Sequence, residues 1–454
     1  MSLSIIILAA GQGTRMRSAL PKVLHCLAGK TLLEHVYTAA MRLEHNGIHV
    51  VYGYGGRQVP DSLPHLDVNW VEQQQQLGTG HAVQQAIGAI PASDRVLILY
   101  GDIPLITRQT LQRLVDASRE SGFSLMTSCL DDPSGYGRIV RDGKGDVTAI
   151  VEEKDADEKQ LAIGEINTGM MTVDAGKLGQ WLDSLDSRNS QGEYYLTDVI
   201  SMAVADGVKV HTMQPESPDE IRGINNRVQL AEIERYYQLV QARHLMLQGV
   251  SLMDPSRFDL RGDLTTGRDV TIDVNVVIEG SVSIGDNVVI GPNCYINNAD
   301  IGSDVTILPD TVIEDAVLGD HCRIGPFARI RPQTRLAEGV HIGNFVEIKN
   351  AEVGRDSKVN HLSYVGDSDI GKNVNIGAGT ITCNYDGANK HRTVIEDDVH
   401  IGSDTQLVAP VRIGAGATVG AGTTVTKDVK AGSLVHNKTD WRTVSGWKRP
   451  GKNK

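Results

Sequence analysis

At 454 residues the chain is about three times a typical domain length, so two or three folding units are expected. Lys and Arg total 44 against 56 Asp and Glu, a net charge of −12, which argues against nucleic-acid or acidic-membrane binding and leaves room for a local basic pocket. No apolar run suits a membrane span, the apolar start IIILAA (5–10) has no basic residue before it as a signal peptide would, and Cys26, Cys129, Cys294, Cys322 and Cys383 are scattered without a CxxC pair, as expected of reduced thiols in a cytoplasmic protein without a disulfide framework or zinc site.

Residues 1–226 alternate short apolar runs with helical stretches. IIILAA (5–10) reads as a strand that ends in the loop GQGTRM, and 31–43 carries Leu32, Leu33, Val36 and Leu43 at helical spacing. IHVVYG (48–53) and RVLILY (95–100) read as buried strands, flanked by the helical segments HAVQQAI (81–87) and LQRLVDA (111–117). This is the pattern of a doubly wound, Rossmann-like α/β domain, a parallel sheet covered on both faces. Ligands gather at the carboxyl edge of such sheets. GQGTRM and GDIPL (101–105) both follow strands, so they are expected to converge on one cleft.

At 227–249 Leu230, Ile233, Tyr237, Val240 and Leu247 recur at threes, fours and one seven, with Gly249 behind them. The spacing predicts one helix, an arm between domains, with the second domain over 250–454. There the period becomes six. Aliphatic residues stand at Ile284, Ile290, Ile296, then Ile301, Ile307, Ile313, then Leu318, Ile324, Ile330, Leu336, Ile342, Ile348, and resume after five-residue steps at Val353, Val359, Val365 and at Ile370, Ile376. The count returns at Ile395, Ile401, Leu407, Ile413, Val419 and Val425, after the interruption CNYDGANKHRTV (383–394). Glycine often follows these anchors, as at Gly285, Gly291, Gly302, Gly319, Gly402 and Gly420. A six-residue aliphatic repeat fits a parallel β-helix, in which each short strand puts one anchor inside before the chain turns a corner. The repeat alone is also compatible with a scaffold, but Lys349, His361, Tyr364, Asn375, Asn384 and Tyr385 cluster near the interruption.

GQGT alone is weak evidence and also reads as a tight turn. Here Gly11, Gly13, Arg15 and Lys22 lie close together in sequence, so backbone N–H groups, a helix N-terminus, a guanidinium fork and a point charge can meet phosphate oxygens. Asp102, in the YGD run at a strand end, offers a carboxylate to a hard divalent cation such as Mg²⁺. LAAGQGTRM followed by LPKVL resembles the sugar-nucleotide pyrophosphorylases, and QQLGTGHA (75–82), GYGRI (135–139), VEEKDA (151–156), EINTG (165–169), GEYYLTD (192–198) and GINNR (223–227) extend the match. With the hexapeptide half, the whole chain resembles the bacterial bifunctional enzymes that join a glucosamine-1-phosphate N-acetyltransferase to an N-acetylglucosamine-1-phosphate uridylyltransferase. The resemblance implies a nucleotidyltransferase domain and a left-handed coil in a homotrimer. It implies UTP and acetyl-CoA as co-substrates, and UDP-N-acetylglucosamine for peptidoglycan and lipopolysaccharide as the product. Uridine and nucleotide contacts fall on Leu8, Ala9, Ala10, Gly11, Gln73, Gly78, Thr79, Tyr100 and Gly101, phosphate-side charge on Arg15 and Lys22, metal ligation on Asp102 and Asn225, and sugar recognition on Gly137, Glu152 and Asn167.

His361 is one of 14 histidines and stands out by its company: the match to the family's H-L-[ST]-Y segment and the nearby NYDG. An amine attacking a thioester must lose a proton, and imidazole titrates where a general base should. The resemblance puts the sugar phosphate at Arg331 and Lys349, with Tyr364 and Asn375 completing its pocket. Acetyl-CoA falls on Ala378, Asn384, Tyr385, Ser403 and Ala421, Ser403 or its backbone facing the oxyanion. Where the family commonly has a tail Arg this chain has Lys438, which keeps the charge but loses the fork. Two other readings use the same architecture: a single-activity pyrophosphorylase with a structural coil, and a non-catalytic regulatory subunit. The His–Tyr–NYDG cluster counts against the first, and the intact GxGTRM…PK with Asp102 counts against the second.

Overall fold

β1 (Leu3–Leu8) is a strand of six apolar or small residues, all buried, so it can only be central. In the computed structural model, which describes residues 2–437 and 443–449, the chain divides into a unit ending at Tyr237 and another starting at Gln238. The first unit continues through α1 (Leu32–Ala40), β2 (Gly47–Tyr52), β3 (Asn69–Glu72), α2 (Thr79–Ile87), β4 (Arg95–Tyr100), α3 (Arg108–Ala117) and β5 (Phe123–Cys129). The hairpin β6 (Arg138–Arg141) and β7 (Val147–Val151) follows, then β8 (Glu165–Asp174), α4 (Ala175–Asp183), α5 (Asp198–Ala205) and β9 (His211–Met213).

The main sheet has the order β9-β5-β8-β4-β1-β2-β3. Side chains alternate between its faces: Ile5, Ile7, Leu97 and Leu99 join one apolar cluster, and Ile6, Leu8, Val96 and Ile98 join the other. The sheet is mixed rather than wholly parallel, because β8 runs antiparallel to both β4 and β5. Between β5 and β8 the chain makes the β6–β7 hairpin instead of the long helical crossover that a parallel neighbour needs.

The helix predicted at 227 is α6 (Arg227–Leu247), and it stops at Gly249, whose φ of 104° only glycine adopts freely. Val250 N–H reaches back to Leu245 O at 3.1 Å and closes the end. Its apolar stripe differs from the prediction. Ile233 is buried with Leu230 and Tyr237 against it, but Val240 and Leu247 are exposed, and Ala242 and Leu245 carry the burial further on.

In the second unit every aliphatic anchor of the six-residue count is buried, in one continuous core. Strands stack in parallel, with rungs 17 residues apart where a five-residue step falls (Ile313 beside Ile330) and 18 where none does (Ile330 beside Ile348). Corner residues take positive φ, and Asn287, Asn293, Asp304 and Asp310 fill many of these positions because Asn and Asp tolerate that region. Asn293 Nδ2 donates to Asp310 Oδ1 at 3.1 Å, and Asn287 and Asp304 repeat the contact at 3.1 Å on another corner. After the interruption the register resumes, Ile370 pairing with Ile395.

Candidate functional sites

β1 and β4 end side by side, Leu8 opposite Tyr100, and Gly101 N–H donates to Leu8 O at 2.9 Å. The two following loops enclose a cavity of about 370 Å³ lined by Leu8, Ala9, Ala10, Gly11, Lys22, Gln73, Gly78, Thr79, Tyr100 and Asp102, together with Gln12, Gln76 and Glu193, which the sequence reading did not single out. Gly101 sits behind this wall; a Cβ there would come to 3.2 Å from Val23 Cγ1. Gly78 has a φ of 112°, and a Cβ would lie 2.6 Å from Tyr194 O, so glycine alone lets the QLGTG segment close against GEYYL. Buried Gln73 donates through Nε2 to Gly78 O at 3.1 Å and contacts His81 Nδ1 at 3.0 Å, which keeps its carbonyl oxygen as the acceptor. The glycine loop does not open an α-helix. Left-handed backbone at Gly13 and Arg17 confines it to the single 3-10 turn Thr14–Met16, so any anion here meets turn N–H groups instead of a macrodipole.

A second cavity, about 250 Å³, shares Tyr100 and Asp102 with the first and is walled by Arg15, Tyr136, Thr168 and Asn225 among others. Lys22 Nζ forms an ion pair with Asp102 Oδ2 and donates to Asn225 Oδ1 at 3.0 Å, while Arg15 Nη2 reaches the same Asn225 oxygen at 3.3 Å. A carboxylate and an amide oxygen therefore converge on one cation. No cluster of three His, Cys, Asp or Glu suited to a metal occurs among the described residues. Burial, then the negative charge of Glu152 and Asp102, pushes the Tyr100 phenol pKa upward, so it stays a neutral hydroxyl. Gly137, Glu152 and Asn167 gather beside it: Asn167 N–H donates to Gly137 O at 2.8 Å, and a Cβ on Gly137 would sit 3.4 Å from Glu152 Oε1. Burial raises the Glu152 pKa, against a 3.1 Å hydrogen bond from Thr197 Oγ1 that favours the ionised form.

On the coil, one corner column carries Asn344, His361, Ala378, Ser403 and Ala421. Backbone hydrogen bonds tie it rung to rung: Leu362 N–H to Asn344 O (3.1 Å), Gly379 to His361 (3.2 Å), Asp404 to Ala378 (2.7 Å) and Gly422 to Ser403 (2.8 Å). His361 Nδ1 lies 2.9 Å from Asn344 Oδ1. The neighbouring face bears Arg331, Lys349 and Tyr364. Arg331 Nη1 donates to Glu347 at 2.5 Å, and buried Asn384 donates to Tyr364 Oη at 3.4 Å and to Asp367. Lys390, in the interruption and not singled out by sequence, approaches Lys349 and depresses its pKa, as one cation beside another must. Asn375 stands on the adjoining face between Lys358 and His400, apart from this group. Tyr385 is exposed and turns its hydroxyl to Gly387 O within its own loop at 2.7 Å. Lys438 lies outside the described residues.

An α/β unit with a cleft of about 370 Å³ that holds Lys22 and Asp102, followed by a hexapeptide coil with a histidine at one corner, fits a nucleotidyltransferase joined to an acyltransferase. Family models agree: a MobA-like NTP transferase domain matches residues 5–140, a GMPPB C-terminal domain 260–344, and the bacterial transferase hexapeptide (six repeats) 392–427. The chain is 56% identical to the bifunctional protein GlmU of Pseudomonas putida (strain GB-1) and 57% identical to that of Pseudomonas entomophila (strain L48), in each case over 454 residues and 100% of both chains. Among solved structures it is similar to a nucleotidyl transferase from Methanothermobacter thermautotroptrophicus (20% identity, TM-score 0.39, 52% of this chain and 97% of that one). It is also similar to a UDP-glucose pyrophosphorylase complexed with UDP-glucose (16%, TM-score 0.44, 52% and 98%). The chain belongs to the bifunctional GlmU family. It is an enzyme with an acetyltransferase and a uridylyltransferase activity, the second unit being a left-handed parallel β-helix. Among the described residues no helix is long and apolar enough to cross a membrane.

Proposed function

We propose that the first unit transfers UMP from UTP to N-acetylglucosamine 1-phosphate and that the coil makes that substrate by acetylating glucosamine 1-phosphate, giving UDP-N-acetylglucosamine for cell-envelope polymers. The observation that carries the first half is the convergence of Asp102 and Asn225 on the Lys22 ammonium. An ammonium held by these two oxygens supports a cation place there, and the pair suits Mg²⁺, which keeps water and phosphate as its other ligands. When bound, the metal would neutralise phosphate charge. Arg15 and Lys22 then hold phosphate oxygens; Leu8, Ala9, Ala10, Gly11, Gln73, Gly78 and Thr79 hold the nucleoside; Tyr100 and Asp102 join the two cavities, with Gly101 packed behind them; and Gly137, Glu152 and Asn167 hold the sugar. A sugar-phosphate oxygen attacks the α-phosphorus in line and pyrophosphate leaves, a reaction that needs positioning and charge more than a protein nucleophile.

On the coil, His361 takes a proton from the amine of glucosamine 1-phosphate as the nitrogen attacks the thioester carbon. The carbon–sulfur bond breaks, and the thiolate of coenzyme A leaves and is protonated. Arg331, Lys349 and Lys390 form a cationic group suited to the sugar phosphate, with Tyr364 beside it, and Asn375 would reach the sugar from the adjoining face. Ala378, Asn384, Tyr385, Ser403 and Ala421 form the coenzyme side, where small residues admit a pantetheine chain. One coil supplies one wall, and we place a neighbouring coil opposite it in a homotrimer. Phe327, Phe345 and Leu362, stacked along the same corner and 50%, 55% and 63% exposed, support such a contact. Five free thiols, two of them buried in the coil, support a cytoplasmic location.

Separate assays test this: thiol release from acetyl-CoA with glucosamine 1-phosphate, and pyrophosphate release from UTP with N-acetylglucosamine 1-phosphate and Mg²⁺. Asp102→Asn should lower only the second, and His361→Ala only the first, each by about 10² or more. Equal loss of both activities in either folded variant refutes the assignment.

A further inference from the structure

The coil face that carries His361 is built from strands of two residues, such as Thr306–Ile307, Arg323–Ile324, Asn375–Ile376 and His400–Ile401. Two strands depart from that length. His341–Asn344 and Lys358–His361 run four residues each and stay paired as far as the corner, where Asn344 stands directly opposite His361. Gly343 makes the close approach feasible, since a Cβ there would overlap Asn360 O. The residues that follow, Phe345 and Leu362, take the positive φ of the corner at 56° and 48°, and Leu362 N–H donates to Asn344 O at 3.1 Å. Both backbones are thereby fixed where their side chains meet, Asn344 Oδ1 lying 2.9 Å from His361 Nδ1.

We propose that Asn344 is a positioning residue for acetyl transfer: its amide oxygen accepts the Nδ1–H of His361 and holds the imidazole in the tautomer whose lone pair is on Nε2. An amide oxygen can only accept, so Nδ1 must carry the proton, and Nε2 is left to take one from the attacking amine. In the other tautomer Nε2 already bears a hydrogen and cannot act as base. The inference rests on His361 being the base. Asn344 itself does not touch the reacting atoms and acts only by fixing ring orientation and tautomer. Unlike a carboxylate, the amide does this without adding negative charge. The charged and titratable groups on the strands around the ring are Lys358 on its own strand, His341 on the strand of Asn344, Arg323 a rung beyond, Tyr364 on the strand that follows, and Glu347, which stands opposite Tyr364 and is paired with Arg331. The strand Asn375–Ile376 on its other side supplies none. Glu347 lies on the adjoining face and is held by Arg331, while the strands paired on the face of His361 carry Arg323, His341, Lys358 and His400, so a carboxylate at 344 would be the first anion among them.

The experiment uses the full-length enzyme and steady-state thiol release from acetyl-CoA with glucosamine 1-phosphate as a function of pH. Uridylyl transfer of the same preparations serves as the control. Asn344→Ala should lower kcat about 10- to 100-fold while both KM values stay within about twofold. Asn344→Asp, nearly isosteric and readable even if the alanine variant folds poorly, should recover most of the turnover. It should move the acid limb of the profile upward by about one pH unit, because a carboxylate stabilises the imidazolium. Wild-type turnover in Asn344→Ala, with His361→Ala inactive, overturns the role of Asn344 alone. So does an Asn344→Asp enzyme as slow as the alanine variant with an unmoved profile. Full turnover in His361→Ala removes the base itself, and this inference with it.

Discussion

Gly169 lies in β8 where its pairing with β5 is interrupted between Asn167 and Met171, and its φ is 83°. A Cβ placed on it would lie 2.7 Å from Tyr100 Cζ and 3.0 Å from its hydroxyl, and closer still to the ring edge. Gly169→Ala therefore brings two penalties: a side chain in the left-handed region, about 1–2 kcal/mol, and overpacking against a partly buried ring, about 1–3 kcal/mol. The sum, roughly 2–5 kcal/mol, leaves a typical domain folded and lowers the melting temperature of a unit this size by roughly 4–20 °C. The functional effect follows from the ring. Tyr100 walls both cavities, so displacing it disturbs the nucleotide and sugar sides together. Pyrophosphate release should fall at least about tenfold in kcat/KM, a loss of about 1.4 kcal/mol of transition-state stabilisation, with acetyl transfer by the same preparation unchanged. Tyr100→Ala should cost less stability in the Gly169→Ala background than in wild type, since removing the ring relieves the overpacking and leaves only the backbone penalty. An unshifted melting curve with wild-type uridylyl kinetics in Gly169→Ala would refute the reasoning.

Two other outcomes can be checked in the same way. Burial lowers the pKa of His25, His35 and His49 from the ordinary 6.5, so the unfolded chain binds more protons below that value. The first unit should be most stable above about pH 6.5 and lose stability as pH falls through the depressed pKa values; melting curves between pH 7.5 and 5.5 should show less loss in His49→Gln than in wild type, and an equal loss would exclude His49 as a contributor. Phe345 occupies a positive-φ corner position of the kind that Asn and Asp fill on many other rungs, so Phe345→Asp should leave the coil's melting temperature within a few degrees of wild type while removing part of the exposed apolar column. Sedimentation should then show a shift from trimers to single chains, with acetyl transfer lost and uridylyl transfer kept; an intact trimer would place the contact elsewhere.

What could be read from the sequence divides along the range of the interactions involved. The six-residue count of anchors, from Ile284 to Val425, was fully legible because a stacked coil repeats one local rule, and each anchor is buried where the count puts it. The strands at 5–10, 48–53 and 95–100 were legible for a similar reason, since a run buried on both faces must be apolar throughout. The reversed direction of β8 was not, because strand polarity depends on whether the chain crosses over or folds back, and the β6–β7 hairpin has no apolar signature that separates the two. The arm helix shows the same limit. Its stripe was extrapolated from Ile233 through Val240 to Leu247, whereas the packed residues past the unit boundary are Ala242 and Leu245.

For the sites, motifs delivered the residues that face ligands and missed those that hold them. Asp102 and Asn225 stand far apart in sequence, and the Lys22 ammonium between them could be known only from their meeting in space. Thr197 beside Glu152 and Lys390 beside Lys349 lay within quoted segments, yet nothing in their spacing pointed to those partners. Asn344 lies 17 residues before His361, one rung of the coil, and that interval does carry a signal. In a stacked coil any residue 17 or 18 positions from a catalytic side chain is its nearest neighbour along the column. The period that reveals the fold therefore also singles out the residues to examine for orienting contacts. Applied to Ser403, it points back across the interruption to Ala378 and forward to Ala421, two residues too small to orient anything. Of the described residues Asn344, His361, Ala378, Ser403 and Ala421, then, His361 is the one with a polar side chain beside it that can fix a ring.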